Sequence, residues 1–407
     1  MPTNVVFVAP FFIETTMRFI KAVSSVEDVR LGLVSQDPLE RLPPEIAGRL
    51  TAHWRVDDAL DPSQIGSAVE SLAARMGGVE RLLAVLEHLQ VPLALVRESL
   101  QIEGMGVAAA QNFRDKSRMK TVLRKAGVPC ARHALASDGA EAHRFAGTVG
   151  YPVVVKPPAG AGARDTFRVG SARELDQILR LMSPSATRPF LLEEFMAGAE
   201  HSFDTVSIRG KHVWHSLTRY QPTPLEVMEN QWIQWCVLLP REIDDPGFDD
   251  IRQVAGRALD ALEMGTGLSH MEWFRRSDGT VAVSEVGARP PGAQITTLIG
   301  HAHGFDLYRA WARLMVHERF DAPARGSAAG IAYLRGQGAG RVKAIHGLDQ
   351  AQAEMGALVV EAHLPKPGQT PSMSYEGDGF VILRHRETRV VEEALRRLVT
   401  LVRVELG

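Results

Sequence analysis

The stretch from Leu268 to Arg289, LSHMEWFRRSDGTVAVSEVGAR, decides the expected fold because it predicts a β-hairpin. Its two arms, Leu268–Phe274 and Thr280–Val286, are rich in β-branched, aromatic and apolar residues. Asp278-Gly279 between them is typical of a two-residue hairpin turn. We therefore expect two antiparallel strands joined at that dipeptide.

The register of this hairpin brings two carboxylates together. With a two-residue loop, the residue numbers of every cross-strand pair sum to 557, so Glu272 lies opposite Glu285 and His270 lies opposite Gly287. Side chains alternate between the two faces of a strand. One face is therefore expected to carry His270, Glu272, Phe274, Val283, Glu285 and Gly287.

Facing glutamates repel each other unless something neutralises them. A hard divalent cation would do so, and Mg²⁺ favours one or two carboxylates together with phosphate oxygens. Two solvated glutamates on an exposed sheet face explain the pattern equally well. The hairpin by itself leaves both readings open.

The bulk composition restricts the kind of protein. A chain of 407 residues with 45% hydrophobic content is long enough for two or three domains. The 46 basic and 48 acidic residues nearly cancel, so we expect neither a nucleic-acid nor a membrane partner. The two cysteines, Cys130 and Cys236, form no disulfide or zinc pattern and fit a reducing cytoplasm. The short apolar run Val5–Ile13 predicts a buried strand rather than a signal peptide or a membrane span.

The N-terminal region shows alternating strand and helix patterns. Strands are expected at Val5–Ala9, Val29–Val34 and Val91–Val96, and helices at Thr15–Val23 and Gln64–Leu89. This alternation predicts an α/β domain. No GxGxxG follows the first strand, which argues against a dinucleotide-binding enzyme.

A second domain is expected to start near residue 108, where Asp115 is a good N-cap for a basic helix that ends at Gly127. The segment 321–330, DAPARGSAAG, reads as a linker. Further strands are expected at Tyr151–Val155, Phe190–Phe195, Ser202–Ser207, Ala329–Leu334, Ala357–Ala362 and Gly379–Leu383, and helices at Ala172–Met182 and Thr388–Val402. We accordingly divide the chain into residues 1–107, 108–318 and 319–407.

Two lysines are candidates for binding phosphate. Lys156 ends a strand and precedes a loop with Gly160 and Gly162, whose backbone N–H groups are free to approach an anion. Lys116 begins the basic helix, where the helix dipole also favours anions. Taken singly, such a loop is more typical of a plain connection, and such a lysine of a solvated helix face.

A third candidate segment is LLEEFMAGAEHSFD, which presents Glu193 and Met196 near a strand end and Glu200 after a short turn. Backbone groups at such a strand end can pair with an adenine edge, and a free carboxylate can accept hydrogen bonds from ribose hydroxyls. Alone, acidic residues of this kind are more often surface solubilisers.

Taken in order, these motifs resemble the ATP-grasp superfamily across roughly residues 108–318. The carrying motifs are DK opening a helix, GYPVVVKP with a Gly-rich loop, LLEEF…GAE, and HMEWF…SEVGARPPG. The chain looks most like the carboxylate-amine ligases, including amino-acid ligases, and more distantly like D-alanine:D-alanine ligase and biotin carboxylase. The resemblance implies an ATP-grasp fold of mixed α/β and α+β class, with an N-terminal α/β pre-ATP-grasp domain and a small C-terminal β-rich domain.

The resemblance also implies a reaction and its residues. ATP would phosphorylate a carboxylate, and an amine, such as that of an amino acid, would attack the acyl phosphate to give an amide, ADP and phosphate. Mg²⁺, or Mn²⁺ in its place, would assist. The implied roles are phosphate binding for Lys116 and Lys156, a phosphate cover at Gly160 and Gly162, an adenine hinge at Glu193 and Met196, ribose binding for Glu200, metal binding for Glu272 and Glu285, and contact with the transferring phosphate or acyl intermediate for Arg289.

This chain departs from the family pattern at Gly287, where the family often has an Asn two residues after the second metal glutamate. We offer the hypothesis that His270, opposite Gly287, supplies the missing metal contact, although a packed histidine is the commoner arrangement. In the segment Thr218–Cys236, Arg219 is a candidate anion contact of an acceptor pocket, and Trp232 and Trp235 fit core packing at least as well.

Two other functions stay open. One is bicarbonate activation of the biotin carboxylase kind, and the other is an ATP-binding protein that has lost catalysis, for which Gly287 is the sequence support. Family habit also suggests a homodimer formed through the N-terminal domain.

Overall fold

The computed structural model describes residues 2–160, 162 and 165–407. The N-terminal elements are β1 Thr3–Val8, α1 Glu14–Val23, β2 Val29–Ser35, α2 Pro44–Ala47, β3 Leu50–Arg55, α3 Pro62–Met76, β4 Arg81–Leu83, α4 Gln90–Leu100 and α5 Val107–Arg114. The strands form a parallel sheet in the order β3-β2-β1-β4. Strand β1 lies in the interior of this sheet and is almost wholly buried. The predicted α/β class of this region is confirmed.

Two N-terminal predictions are wrong. Val91–Val96 is part of helix α4. Pro92 is compatible with this helix because it occupies the first turn, where its missing N–H removes no helical hydrogen bond. Gln64–Leu89 is not one helix: α3 ends at Met76, before two glycines with φ +81° and +120°, and β4 follows. An apolar run of this length cannot tell a buried helix from a strand by periodicity.

A small antiparallel sheet in the order β5-β8-β6-β7 follows. Its elements are α6 Lys116–Lys125, β5 His133–Ala136, α7 Gly139–Val149, β6 Val153–Lys156, β7 Phe167–Val169, α8 Ala172–Met182 and β8 Phe190–Glu194. The predicted cap is present, because Asp115 accepts hydrogen bonds from Ser117 N (2.9 Å) and Arg118 N (3.0 Å). The strands predicted near residues 151 and 190 and the helix α8 are also confirmed.

A large sheet forms the centre of the described molecule, in the order β13-β12-β9-β10-β11-β14-β18-β17. Its elements up to residue 317 are β9 Gly198–Ile208, β10 Lys211–Gln221, α9 Pro224–Glu229, β11 Cys236–Leu239, α10 Asp249–Ala261, β12 Gly267–Arg276, β13 Val281–Gly287, α11 Ile295–His303 and α12 Leu307–His317. The later elements are β14 Ala328–Leu334, β15 Gly336–Gln337, β16 Val342–His346, α13 Leu348–Met355, β17 Val359–His363, β18 Gly379–His385, α14 Thr388–Leu401 and β19 Arg403–Leu406.

This sheet runs across the expected domain boundary at residue 318, since β14 pairs directly with β11. The three-part division of the chain remains a prediction, but its second boundary does not separate two sheets. The expected linker 321–330 is also packed rather than free, because Arg325 is only 8% exposed. Its guanidinium donates to Leu217 O (3.1 Å), Pro240 O (2.7 Å) and His303 Nε2 (3.1 Å).

Candidate nucleotide and metal site

A cavity of about 560 Å³ is lined by residues of both the small sheet and the large sheet. Its size falls within the usual range for small-molecule sites. All but one of the predicted site residues line it. They are Lys116, Lys156, Gly160, Gly162, Glu193, Met196, Glu200, His270, Glu272, Glu285 and Arg289. The sequence motifs therefore converge on one place.

The hairpin β12–β13 carries the two glutamates in the predicted pairing. Glu272 lies opposite Glu285, and His270 lies opposite Gly287. The predicted turn is nevertheless wrong: Arg276 N donates to Thr280 O (2.9 Å), so the loop has three residues, and its last, Gly279, has φ +84°. The register near the turn is therefore shifted by one residue.

A β-bulge compensates for this shift, so the predicted register holds at Glu272 and Glu285. The irregularity lies between Glu272 and Trp273, where Ser284 is the extra residue of β13. Val283 consequently pairs with Trp273 and is fully buried in the core behind the sheet, so its predicted place on the glutamate face is wrong. Ser284 lines the cavity instead.

Lys116 lies directly against the second glutamate. Its Nζ is 2.8 Å from Glu285 Oε1 and donates to Gly160 O (2.9 Å). The N-cap Asp115 fixes the start of α6 and so fixes the position of this lysine. Burial would raise the pKa of Glu285, but the nearby ammonium groups, Lys116 first, outweigh burial and lower it.

A second, deeper cluster joins Lys156 to Glu193. Their side chains are 3.0 Å apart, and the opposite oxygen of Glu193 is 3.3 Å from Lys120 Nζ. Lys120 is fully buried and donates to Ser284 O (2.7 Å). Burial lowers the pKa of Lys120, whereas Glu193 and Glu285 overcome burial and raise the pKa of Lys156. Sequence reasoning missed Lys120, although its spacing of four from Lys116 places both on one helix face.

Negative charge accumulates on the other side of the cavity. Burial, and then the charges of Glu272 and Glu285, raise the pKa of Glu200 well above its usual value. These carboxylates are hard oxygen donors, so they fit Mg²⁺. Among the described residues, no cluster of three or more His, Cys, Asp or Glu side chains forms a complete metal cage. A cation here would need further oxygen ligands, as phosphate would provide.

His270 is packed rather than free to bind a metal. Its Nδ1 is 2.6 Å from Asp204 Oδ1, its Nε2 is 3.3 Å from the Tyr220 hydroxyl, and Asp204 is fully buried. Burial would lower the pKa of His270, but Asp204 and Glu272 raise it to about 9. A protonated imidazole has no lone pair for a metal, so this arrangement does not favour our hypothesis that His270 replaces the Asn contact.

Arg289 lies two residues beyond the end of β13 and is held by the N-terminal region. Its Nε is 2.6 Å from Glu87 Oε2, and its Nη1 donates to Pro290 O (2.9 Å). Burial would lower the pKa of Arg289, but Glu87 raises it, so the guanidinium is fully charged. Glu87 was not among the predicted residues, and no local pattern marks it.

Strand pairing already uses part of the main chain of the predicted adenine hinge. Glu193 lies within β8 between β5 and β6, so its main chain belongs to the sheet and its side chain binds lysines. The chain leaves the sheet only at 195–197, where Met196 is 9% exposed. Of the predicted phosphate cover, residues 161, 163 and 164 lie outside the described residues.

The predicted acceptor residue Arg219 does not line the cavity. Its neighbour Tyr220 does, because successive residues of β10 face opposite sides of the sheet. Trp235 is buried and also lines the cavity, whereas Trp232 is 68% exposed.

Comparison with known proteins shows what this chain is similar to. Residues 121–303 match the ATP-grasp domain. A solved L-amino acid ligase of Bacillus licheniformis superposes with a TM-score of 0.80 at 18% identity, covering 100% of this chain and 99% of that one. The chain therefore has the ATP-grasp fold, and residues 121–303 are similar to the ATP-grasp domain.

Two curated relatives are similar in sequence. The L-arginine-specific L-amino acid ligase of Bacillus subtilis is 25% identical over 281 residues, which are 66% of each chain. The carbamoyl phosphate synthase large chain of Thermotoga neapolitana is 25% identical over 232 residues, 56% of this chain and 20% of that one. The chain thus spans less than two thirds of the length of these relatives. Within the described residues, no helix has the length and apolar character needed to cross a bilayer.

Proposed function

We propose that the protein is an ATP-dependent ligase that joins a carboxylate to an amine and releases ADP and phosphate. The observation that carries the proposal is the pair Glu272 and Glu285, held opposite each other beside Lys116 in one cavity. Two carboxylates, buried lysines and an arginine together suit phosphoryl transfer, which needs positioning and charge neutralisation more than covalent help.

We assign the charged residues as follows. Lys116 and Lys156 bind the ATP phosphates, and each exchanges its present glutamate partner for phosphate oxygens. Glu272 and Glu285 hold Mg²⁺, which when bound neutralises the phosphate charge and polarises the transferring group. Arg289 contacts that group or the acyl phosphate, and the cavity walls keep water from the acyl phosphate.

The nucleotide base is assigned to the strand end at 195–197, whose backbone groups are free of the sheet. Glu200 accepts hydrogen bonds from the ribose hydroxyls. The burial of Met196 in this wall supports an apolar surface for the adenine ring.

The substrates are proposed to be small molecules, with an amino acid as one of them. The similarity to the arginine-specific ligase supports this class but not arginine itself. In the alternative, bicarbonate takes the place of the carboxylate substrate. A homodimer remains a prediction.

The test is a phosphate-release screen over pairs of amino acids and small carboxylic acids with Mg·ATP, with a bicarbonate arm. We expect phosphate and ADP to form only when both a carboxylate and an amine are present. Mass spectrometry of the product should show the summed substrates less water. ATP binding without turnover across the whole screen would contradict the ligase and favour a catalytically inactive protein.

A further inference from the structure

A carboxylate from the N-terminal region enters the cavity at the end of β13. Glu87 lies in a short 3-10 helix, Glu87–Leu89, and its side chain is 10% exposed. Its Oε2 is 2.6 Å from Arg289 Nε, while Arg289 Nη1 donates to Pro290 O. Within residues 2–160, 162 and 165–407, Arg289 Nη2 has no protein partner. The guanidinium is thus fixed at two nitrogens and open at the third.

Gly287 makes room for this pair. A Cβ placed at residue 287 would lie 3.3 Å from Glu87 Oε2 and 3.6 Å from Arg289 Cγ. The first distance is tighter than an ordinary contact, so a side chain here would press on the carboxylate that holds Arg289. Gly287, where this chain departs from the family pattern, therefore lies against Glu87, a glutamate from another part of the fold.

We infer that Glu87 is a positioning residue that fixes Arg289 for the transferring phosphate, and that Gly287 is required because it leaves room for Glu87. The inference rests on the proposed function, since it gives Arg289 a task in that reaction. When the arginine is already oriented in the free enzyme, no free energy is needed to order it in the transition state. The role is one of orientation, because the charge of Glu87 itself opposes that of the phosphate.

The test compares kcat and KM of the variants Glu87→Ala, Glu87→Gln, Arg289→Ala and the double variant Glu87→Ala/Arg289→Ala. We expect Glu87→Ala to lower kcat by about tenfold or more with little change in the KM for ATP. Glu87→Gln should recover part of the loss, because its amide oxygen still accepts from Arg289 Nε. The double variant should be no slower than Arg289→Ala, since Glu87 acts through Arg289.

The matched control is Glu103→Ala, which breaks another ion pair of the N-terminal region, Arg81 Nη1 to Glu103 Oε2 at 2.7 Å, outside the cavity lining. It should leave kcat unchanged. Additive losses in the double variant, or wild-type kcat in Glu87→Ala, would overturn the inference even though the enzyme is a ligase.

Urea unfolding of the same variants gives a readout that needs no substrate. We expect coupling of about tenfold in the unfolding equilibrium between Glu87→Ala and Arg289→Ala. Gly287→Ala should destabilise the wild type but cost less in the Glu87→Ala background, where the crowding is relieved. If the wild type releases no phosphate with any substrate pair, the proposed function fails, and absence of coupling in this cycle separately overturns the arrangement of these three residues.

Discussion

At the scale of single residues, two adjacent glutamates show how burial sets what a carboxylate contributes. Glu193 is almost fully buried between Lys120 and Lys156, whereas Glu194 on the next position pairs with Arg132 near the surface. A buried charge that loses its partner is costly, and a surface ion pair contributes little.

Replacing Glu193 with Ala should therefore lower the free energy of unfolding by about 3 kcal/mol or more, because two buried ammonium groups lose their counter-charge. The matched variant Glu194→Ala should lose about 1 kcal/mol or less. Urea denaturation measures both. Equal losses would mean that the lysine cluster does not depend on Glu193.

The metal assignment predicts that Glu272→Gln and Glu285→Gln each lower kcat about a hundredfold or more, because each removes an anionic ligand of the catalytic cation. Glu272→Gln should not lower the Tm of the ligand-free protein, since it relieves repulsion on Glu200. The exposed variant Glu70→Gln is the control. Near-normal ADP formation by both cavity variants would refute the metal site.

At the scale of elements, the caps of α6 and α7 separate stability from function. Asp115 caps the helix that carries Lys116, and Asp138 caps α7, accepting from Glu141 N (2.8 Å). Only the first of these helices begins at the cavity.

Asp115→Ala and Asp138→Ala should each cost about 1 kcal/mol of unfolding free energy, the usual value of an N-cap. Only Asp115→Ala should also weaken the affinity for Mg·ADP, because fraying of the first turn displaces Lys116. Calorimetric titration gives the affinity. An equal loss of nucleotide affinity in both variants would show that the effect comes from general destabilisation.

The hairpin also shows how far an element can be predicted. The sequence pattern is sufficient for two strands and for the pairing of Glu272 with Glu285. The pairing derived from a two-residue turn is correct only because the three-residue turn and the bulge at Ser284 cancel. A bulge has no reliable local signal, since packing of Trp273 and Val283 into the core selects it.

At the scale of the whole molecule, the large sheet makes the two sides of residue 318 interdependent. All seven residues of β14 are buried, and the strand covers the edge of β11. The expected linker is tied to this sheet by Arg325, which also donates to the Ser216 hydroxyl.

A fragment of residues 1–318 should therefore fail to fold, because it exposes the edge and apolar face of β11. We expect it to aggregate during size-exclusion chromatography and to show no cooperative thermal transition, whereas the full chain shows one. A monomeric fragment with a sharp transition would establish a domain boundary at residue 318.

His303 predicts a response to acid. Its Nδ1 donates to Pro323 O (2.8 Å) and its Nε2 accepts from Arg325, so the ring is neutral. Burial, with Arg325, lowers the pKa of His303 to about 4. Below the usual pKa of 6.5 the unfolded chain takes up a proton that the folded chain does not, so stability falls between about pH 6.5 and pH 4.

The loss attributable to His303 is roughly 3 kcal/mol at the acid end of this range. His303→Gln keeps a donor and an acceptor but removes the titration, so its unfolding free energy should fall less between pH 7 and pH 4. Urea denaturation at both pH values is the measurement. Parallel falls in the variant and the wild type would contradict the assignment.

The sequence by itself determined the motifs, their order and the residues that converge, because phosphate and cation chemistry need lysines, glycines and paired carboxylates near strand and helix ends. Only the tertiary structure decided how the charges are paired. Lys120 lies 164 residues from Ser284 along the chain, Glu87 lies 202 residues from Arg289, and Asp204 lies 66 residues from His270. Such partners have no local pattern, because what selects them is burial in a shared low-dielectric space, which exists only after the sheets have packed.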